Sequence, residues 1–322
     1  MTHTQHHPMK KSLPFATAFL LAAAGAVAAE TPPAVTFDGY VVVTGSVQDT
    51  AGAATDSALD VTHAKFGIKA QLAPTVTAYA SMFYRSAFDK ADLLDAYVAY
   101  EPDAGLKITV GNFLSYLGYE AFDPINLTQI SNANRDLLGF PVPAYHTGLK
   151  VDYTFGNHRV GGAVVDSLYG TSQSTIFSGD GDFTDKGLEA YYTYKGIKDT
   201  QVWVGAGQDN DGGGAVYDVW VSHALSSTDT VAAEYLVDES DGYNWLLVYV
   251  KAIDSKLSLT SRLSGETSNT TDTKYVKYTL APSYAFTPKL TVRAEISFLD
   301  YSGSGATASS STFYAVQSLY RF

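Results

Sequence analysis

Between Thr291 and Phe298 the chain steps between two kinds of residue. Val292, Ala294, Ile296 and Phe298 are apolar, whereas Thr291, Arg293, Glu295 and Ser297 are polar. Successive side chains of an extended strand point to opposite faces, so this segment has one oily face and one wet face. The pattern recurs. Val276, Tyr278, Leu280, Tyr284 and Phe286 oppose Lys277, Thr279 and Ser283, and Leu94, Ala96, Val98 and Tyr100 oppose Asp95, Tyr97 and Glu101. The alternation predicts about sixteen strands. They fall at 35–48, 59–73, 76–88, 92–101, 105–119, 144–156, 159–169, 186–195, 201–209, 215–226, 230–239, 243–253, 257–266, 274–286, 290–300 and 311–322.

The links between segments also alternate. After even-numbered segments they are short, as at Pro74-Thr75, Pro102-Asp103-Ala104 and Asn157-His158. After odd-numbered ones most are longer and rich in Gly, Asp, Ser and Thr, as at Asp49 to Ala58, Gly170 to Asp185 and Tyr301 to Ser310. Asp89 to Ala91 and the turn at Asp241-Gly242 are short exceptions. Short turns at one end and long loops at the other describe an outer-membrane β-barrel. A soluble secreted sandwich has no reason to alternate this way.

The N-terminus reads as a cleaved signal peptide over residues 1–29. Lys10-Lys11 forms the basic part, Leu13 to Ala24 the apolar core, and Val27-Ala28-Ala29 the small-residue site before Glu30. Met9 is the more natural start, with the His-rich stretch Thr2 to Pro8 upstream of it. Residues 30–322 carry no linker or composition break and form one domain. Beyond the leader no apolar run nears the roughly 18 residues of a membrane helix; the longest clear one is Trp245 to Val250. A membrane chain of this kind must close into a barrel, because only closure pairs every backbone group in lipid.

Composition sharpens this picture. With no cysteine the chain has neither disulfides nor thiolate sites, which suits export through an oxidising periplasm. The net charge of −12 argues against nucleic acid as a partner. Tyr (23) and Phe (16) outnumber Trp (3) and Met (3), a balance expected of strands with interfacial aromatics.

One stretch departs from the hairpin rhythm. Glu120 to Pro143 joins two of these strands, too long for a turn and too rich in Phe, Leu, Ile and Pro for disorder. It is read as the third extracellular loop, folded inward to narrow the lumen. Around it lie Val110-Gly111-Asn112-Phe113, Gly118-Tyr119-Glu120, Pro143, His146-Thr147-Gly148 and Tyr153. These pieces resemble the OmpL-like β-barrel porin (porin-2) family of Gram-negative outer membranes over about 60 residues. The resemblance implies a pore and names no substrate.

Strand parity then nominates the working residues. Lys65, Lys69, Arg85, Lys150, Arg262, Lys277 and Arg293 are expected to line the pore. All but Lys150 flank the seam between the first and last strands and would form a basic arc. Inward acids lie largely elsewhere, at Glu189, Asp218, Glu234 and Asp238. The loop adds Glu120, Asp123, Arg135 and Asp136. Lys65, Lys69, Arg85 and Arg293 facing Asp123 and Asp136 would set a transverse field across a constriction; the alternative is scattered lumen charge without a focused field. Glu120 and Asp123 could equally hold the loop against the wall. Tyr320 and Phe322 form an aromatic C-terminus of the kind read during barrel assembly.

Catalytic signals are missing. His63, His146, His158 and His223 lie far apart in sequence and read as strand-face or turn residues. The acidic loops at Gly179 to Asp182 and Asp209 to Asp211 lack EF-hand spacing and read as solvated turns, so no metal or cofactor is expected. Tyr97, Phe113 and Tyr191 point inward, but no regular aromatic ladder is visible. The expected function is therefore a Gram-negative outer-membrane porin, a water-filled channel for passive diffusion of small hydrophilic solutes and ions. The alternatives are a substrate-selective channel, for sugar or anion, and an outer-membrane barrel enzyme. Expected partners are membrane lipid and lipopolysaccharide, the barrel-assembly machinery and two further copies in a homotrimer.

Overall fold

The computed structural model describes residues 33–88, 90–120, 122–133, 142–169, 186–210 and 214–322. The leader therefore lies outside the described residues, as do Arg135, Asp136, the 179–182 loop and Asp211. Sixteen strands follow in order: β1 (Ala34–Thr50), β2 (Asp56–Ala73), β3 (Val76–Arg85), β4 (Lys90–Tyr100), β5 (Leu106–Leu114), β6 (Tyr145–Phe155), β7 (His158–Val165), β8 (Gly187–Tyr194), β9 (Thr200–Asp209), β10 (Val216–Ala224), β11 (Asp229–Asp238), β12 (Gly242–Ala252), β13 (Leu257–Ser268), β14 (Thr273–Thr287), β15 (Leu290–Ser302) and β16 (Ser310–Arg321). Each pairs antiparallel with its sequence neighbours, and β1 pairs with β16, so the sheet closes. The seam is long, running from Tyr40 opposite Arg321 to Thr50 opposite Ser311. Phe322 extends it, donating its N–H to Gly39 O at 3.1 Å.

Alternation becomes inside and outside. On β15, Arg293, Glu295 and Ser297 are buried within the barrel while Phe298 is exposed on its outer wall. On β6, Leu149, Val151, Tyr153 and Phe155 are exposed outward and His146 and Asp152 are buried. The outer face is the one that lipid covers, so its exposed apolar side chains need no further partner. Aromatic neighbours cluster near the short-turn end, including Tyr153 with Phe155 at 5.7 Å, Tyr284 with Phe286 at 4.8 Å and Tyr320 with Phe322 at 6.3 Å.

Two expectations need correction. Parity places Leu94 in the outward set, yet it is fully buried against Tyr40, Phe83 and Tyr145. The β3–β4 register slips between Ala80 and Met82, and a slip of one residue exchanges the faces beyond it. Leu93 takes the outward place. The strand expected over 105–119 ends at Leu114. Ser115 still donates to Ala144 O at 2.7 Å; from Tyr116 the chain leaves the wall, and the N–H groups of Tyr116, Gly118 and Tyr119 find carboxylates in the lumen rather than a neighbouring strand.

Candidate functional site

A loop inside a barrel faces a simple difficulty. Every peptide N–H and C=O it brings into the lumen must be satisfied away from a sheet. Here the wall does this with charge. Carboxylates receive the N–H groups: Tyr116 donates to Glu189 at 3.2 Å and Gly118 to Asp218 at 2.8 Å. Tyr119 N–H donates to Glu234, and Ile130 and Ser131 donate to Glu295 at 2.6 and 2.9 Å. Cations serve the carbonyls. Arg293 donates to Pro124 O at 2.8 Å, Arg262 to Ser131 O at 2.8 Å and Lys277 to Asn132 O at 3.1 Å. Tyr275 completes the set, donating to Ala133 O at 2.6 Å. Contacts on β8, β10, β11, β13, β14 and β15 show that the loop crosses the lumen rather than hugging one wall.

Two side-chain clamps add to this. Glu120 takes Arg262 Nη1 at 2.6 Å, Gln129 Nε2 at 2.7 Å and its own loop's Ala133 N–H at 2.6 Å. The Arg262 side chain is fully buried in that pair. Asp123 takes Lys65 Nζ at 3.1 Å and Tyr40 OH at 2.7 Å, while Lys65 also reaches Asp95 at 2.9 Å. Gly118 lets the loop fold on itself. Its φ is +99°, and a Cβ there would meet Val142 Cγ1 at 2.8 Å. Burial and the adjacent Asp152 carboxylate push the Tyr116 phenol above its ordinary value, keeping it a neutral donor.

The nominated cations thus part company. Lys65, Arg262, Lys277 and Arg293 are buried and bound to the loop. Arg293 reaches the carbonyl of Pro124 rather than the Asp123 carboxylate. Lys69 is exposed, two inward positions nearer the short-turn end than Lys65. Arg85 is half-buried at the far end of β3, directly across from His63. Lys150 is half-buried against the Phe113 and Tyr116 rings. Parity makes Glu295 one member of a polar face and does not reveal its two loop N–H bonds.

The histidines are dispersed. His146 is fully buried, with Nε2 3.2 Å from Glu189 and Nδ1 3.0 Å from Ser167 O. His158 and His223 bond Tyr192 OH and Thr200 Oγ1 at 2.7 and 2.8 Å. Among the described residues no three His, Asp or Glu side chains gather as metal ligands. The aromatic ladder unseen in sequence does exist. Tyr191, Trp203 and Trp220 on β8, β9 and β10 have centroids 6.0 and 5.8 Å apart and planes within 14° and 5° of parallel. Tyr119 from the loop meets Trp220 edge-on at 5.4 Å. The rings come from three strands, at heights only the barrel's stagger brings level.

A family model described as "Putative beta-barrel porin-2, OmpL-like" matches residues 53–322. No protein with a curated description matches the chain by sequence. Solved structures share the fold at low identity. OprB of Pseudomonas putida is 11% identical with a TM-score of 0.67, covering 90% of this chain and 94% of that one. The outer membrane channel DcaP of Acinetobacter baumannii is 10% identical with a TM-score of 0.65, covering 91% and 99%. The anion-selective porin from Comamonas acidovorans is 12% identical with a TM-score of 0.61, covering 90% and 100%.

Proposed function

Because the chain belongs to the OmpL-like β-barrel porin-2 family, an outer-membrane porin family, we propose that it conducts small hydrophilic solutes and ions passively past the inward loop. It does so by diffusion rather than by catalysis. The observation that carries this reading is the loop itself. Wall acids hold its N–H groups and wall cations hold its carbonyls, so it forms a fixed constriction rather than a loose plug. Cations already committed to loop carbonyls and carboxylates cannot act as free anion sites. Selectivity therefore falls to the residual field of Lys65, Arg262, Lys277 and Arg293 around Glu120 and Asp123.

A second reading, a channel selective among solutes, is favoured by the Tyr191, Trp203 and Trp220 ladder. On either reading the outer wall meets lipid and lipopolysaccharide, the aromatic C-terminus is read by the assembly machinery, and three copies associate. Single-channel recording of the refolded protein in a planar bilayer tests the proposal, with reversal potentials under a salt gradient. Large ohmic steps are expected. Protein that shifts on a gel between unboiled and boiled samples, yet gives no steps, would refute passive conduction.

A further inference from the structure

The lumen wall on the short-turn side of the loop is chemically lopsided. Its rings run almost without a break from β4 to β10. Phe113 packs with Tyr97 and Tyr116, Tyr116 meets Tyr191 at 4.4 Å, and Trp203 and Trp220 continue the row. Across the lumen, the inward positions Ala232, Val248, Thr260, Ala281 and Gln317 carry no ring, and the buried rings that side does hold, Tyr40 and Tyr275, are taken up by the loop at Asp123 and Ala133 O. The rings lean onto the wall because glycine leaves room. A Cβ at Gly161 would collide with Tyr191, and one at Gly205 with Trp203. Tyr97, Tyr116 and Trp220 remain partly open.

Arg159 and Lys150 lie against these rings. The Arg159 guanidinium is 5.7 Å from the Tyr191 centroid, and its charge is met by Asp152 at 2.9 Å. Lys150 differs. Its Nζ lies 4.6 Å from the Phe113 centroid and 5.1 Å from that of Tyr116. Among the described residues its one hydrogen bond goes to Leu114 O at 3.4 Å; Asp152 and Glu189 act on its charge only from beyond ion-pair distance, and they are already held by Arg159 and His146. An ammonium has three donors, and a half-buried one with a single long contact is under-coordinated. Ring faces hold a flat apolar surface, and this cation calls for an anion beside it.

We propose that the arc is a binding track for small aromatic carboxylates, with benzoate as the simplest probe. The solute's ring lies against Tyr116 and the neighbouring aromatic faces, and its carboxylate takes the open donors of Lys150. A neutral sugar would use the faces and leave the ammonium unmet, whereas acetate would meet the ammonium and leave the faces bare. This rests on the channel reading above, since the solute must reach the arc through the lumen.

Isothermal titration of the refolded barrel in detergent tests it with benzoate, acetate and glucose, independently of conduction. Saturable binding is expected for benzoate alone. Lys150→Met should weaken it about ten- to a hundredfold, the worth of one charge-assisted hydrogen bond. Trp220→Ala should weaken it less, in protein shown to be folded by the boiling-dependent gel shift. In a Trp245→Phe background the fluorescence of Trp203 and Trp220 should change on benzoate addition. Acetate binding as well as benzoate would overturn the proposal, reducing the site to charge attraction. So would glucose binding unaffected by Lys150→Met, which would make the arc a sugar track, or no saturable benzoate binding to folded protein. Absent binding with intact conductance would defeat this inference alone. Binding without conductance would defeat the channel reading alone.

Discussion

Glu120→Ala is the sharpest perturbation of the constriction. The change removes the acceptor of Arg262 Nη1 at 2.6 Å and of the Ala133 N–H at 2.6 Å. It leaves a fully buried guanidinium facing only carbonyls and hydroxyls. Breaking one side of a buried ion pair costs about 3–5 kcal/mol. That cost falls on the attached state of the loop, because in a detached state water reaches both groups. The ratio of attached to detached loop should therefore drop by about two to three and a half orders of magnitude. The expected record is a channel that flickers between its normal level and a larger one, with protease cutting within 120–143 at much lower dose. Arg262→Met should behave similarly, since it strands the Glu120 carboxylate. The double variant should recover part of the loss, giving a coupling of about 1–3 kcal/mol between the two sites. Wild-type noise and wild-type protease resistance in folded Glu120→Ala would refute the argument that this pair holds the loop.

Three further outcomes follow from the same contacts. Lys65→Met removes the cation between Asp95 and Asp123, so the reversal potential should move toward cation selectivity, read under a salt gradient; a shift toward anions would invert the assigned field. Gly118→Ala forces a side chain into φ +99° beside Val142 and should cost about 1–3 kcal/mol of loop stability, seen as increased current noise with barrel unfolding little changed. Deleting Phe322 removes the last seam hydrogen bond, to Gly39 O; refolding into lipid vesicles should slow several-fold, whereas an unchanged rate would limit the residue to recognition in the cell.

Much of this molecule is legible in one dimension. Alternation such as Val292 to Phe298 against Thr291 to Ser297 marks strands and their two faces, because the period of a strand is a local property of the backbone. The alternation of link lengths orients those strands, and the length of the 120–143 segment announces a loop with work to do. What remained hidden depends on neighbours across the sheet. Leu94 turned inward at a register slip that no local pattern reports. Glu295, Asp218 and Glu234 are ordinary polar positions on their own strands, and become loop anchors only because a loop lying 100 to 165 residues earlier in the chain offers them its N–H groups. The row of Tyr191, Trp203 and Trp220 likewise exists only at one height of a closed, staggered wall. Periodicity determined which side of the wall side chains face wherever the register runs unbroken, which it does not at Leu94. Closure and shear, which set strand height, decided which of them meet.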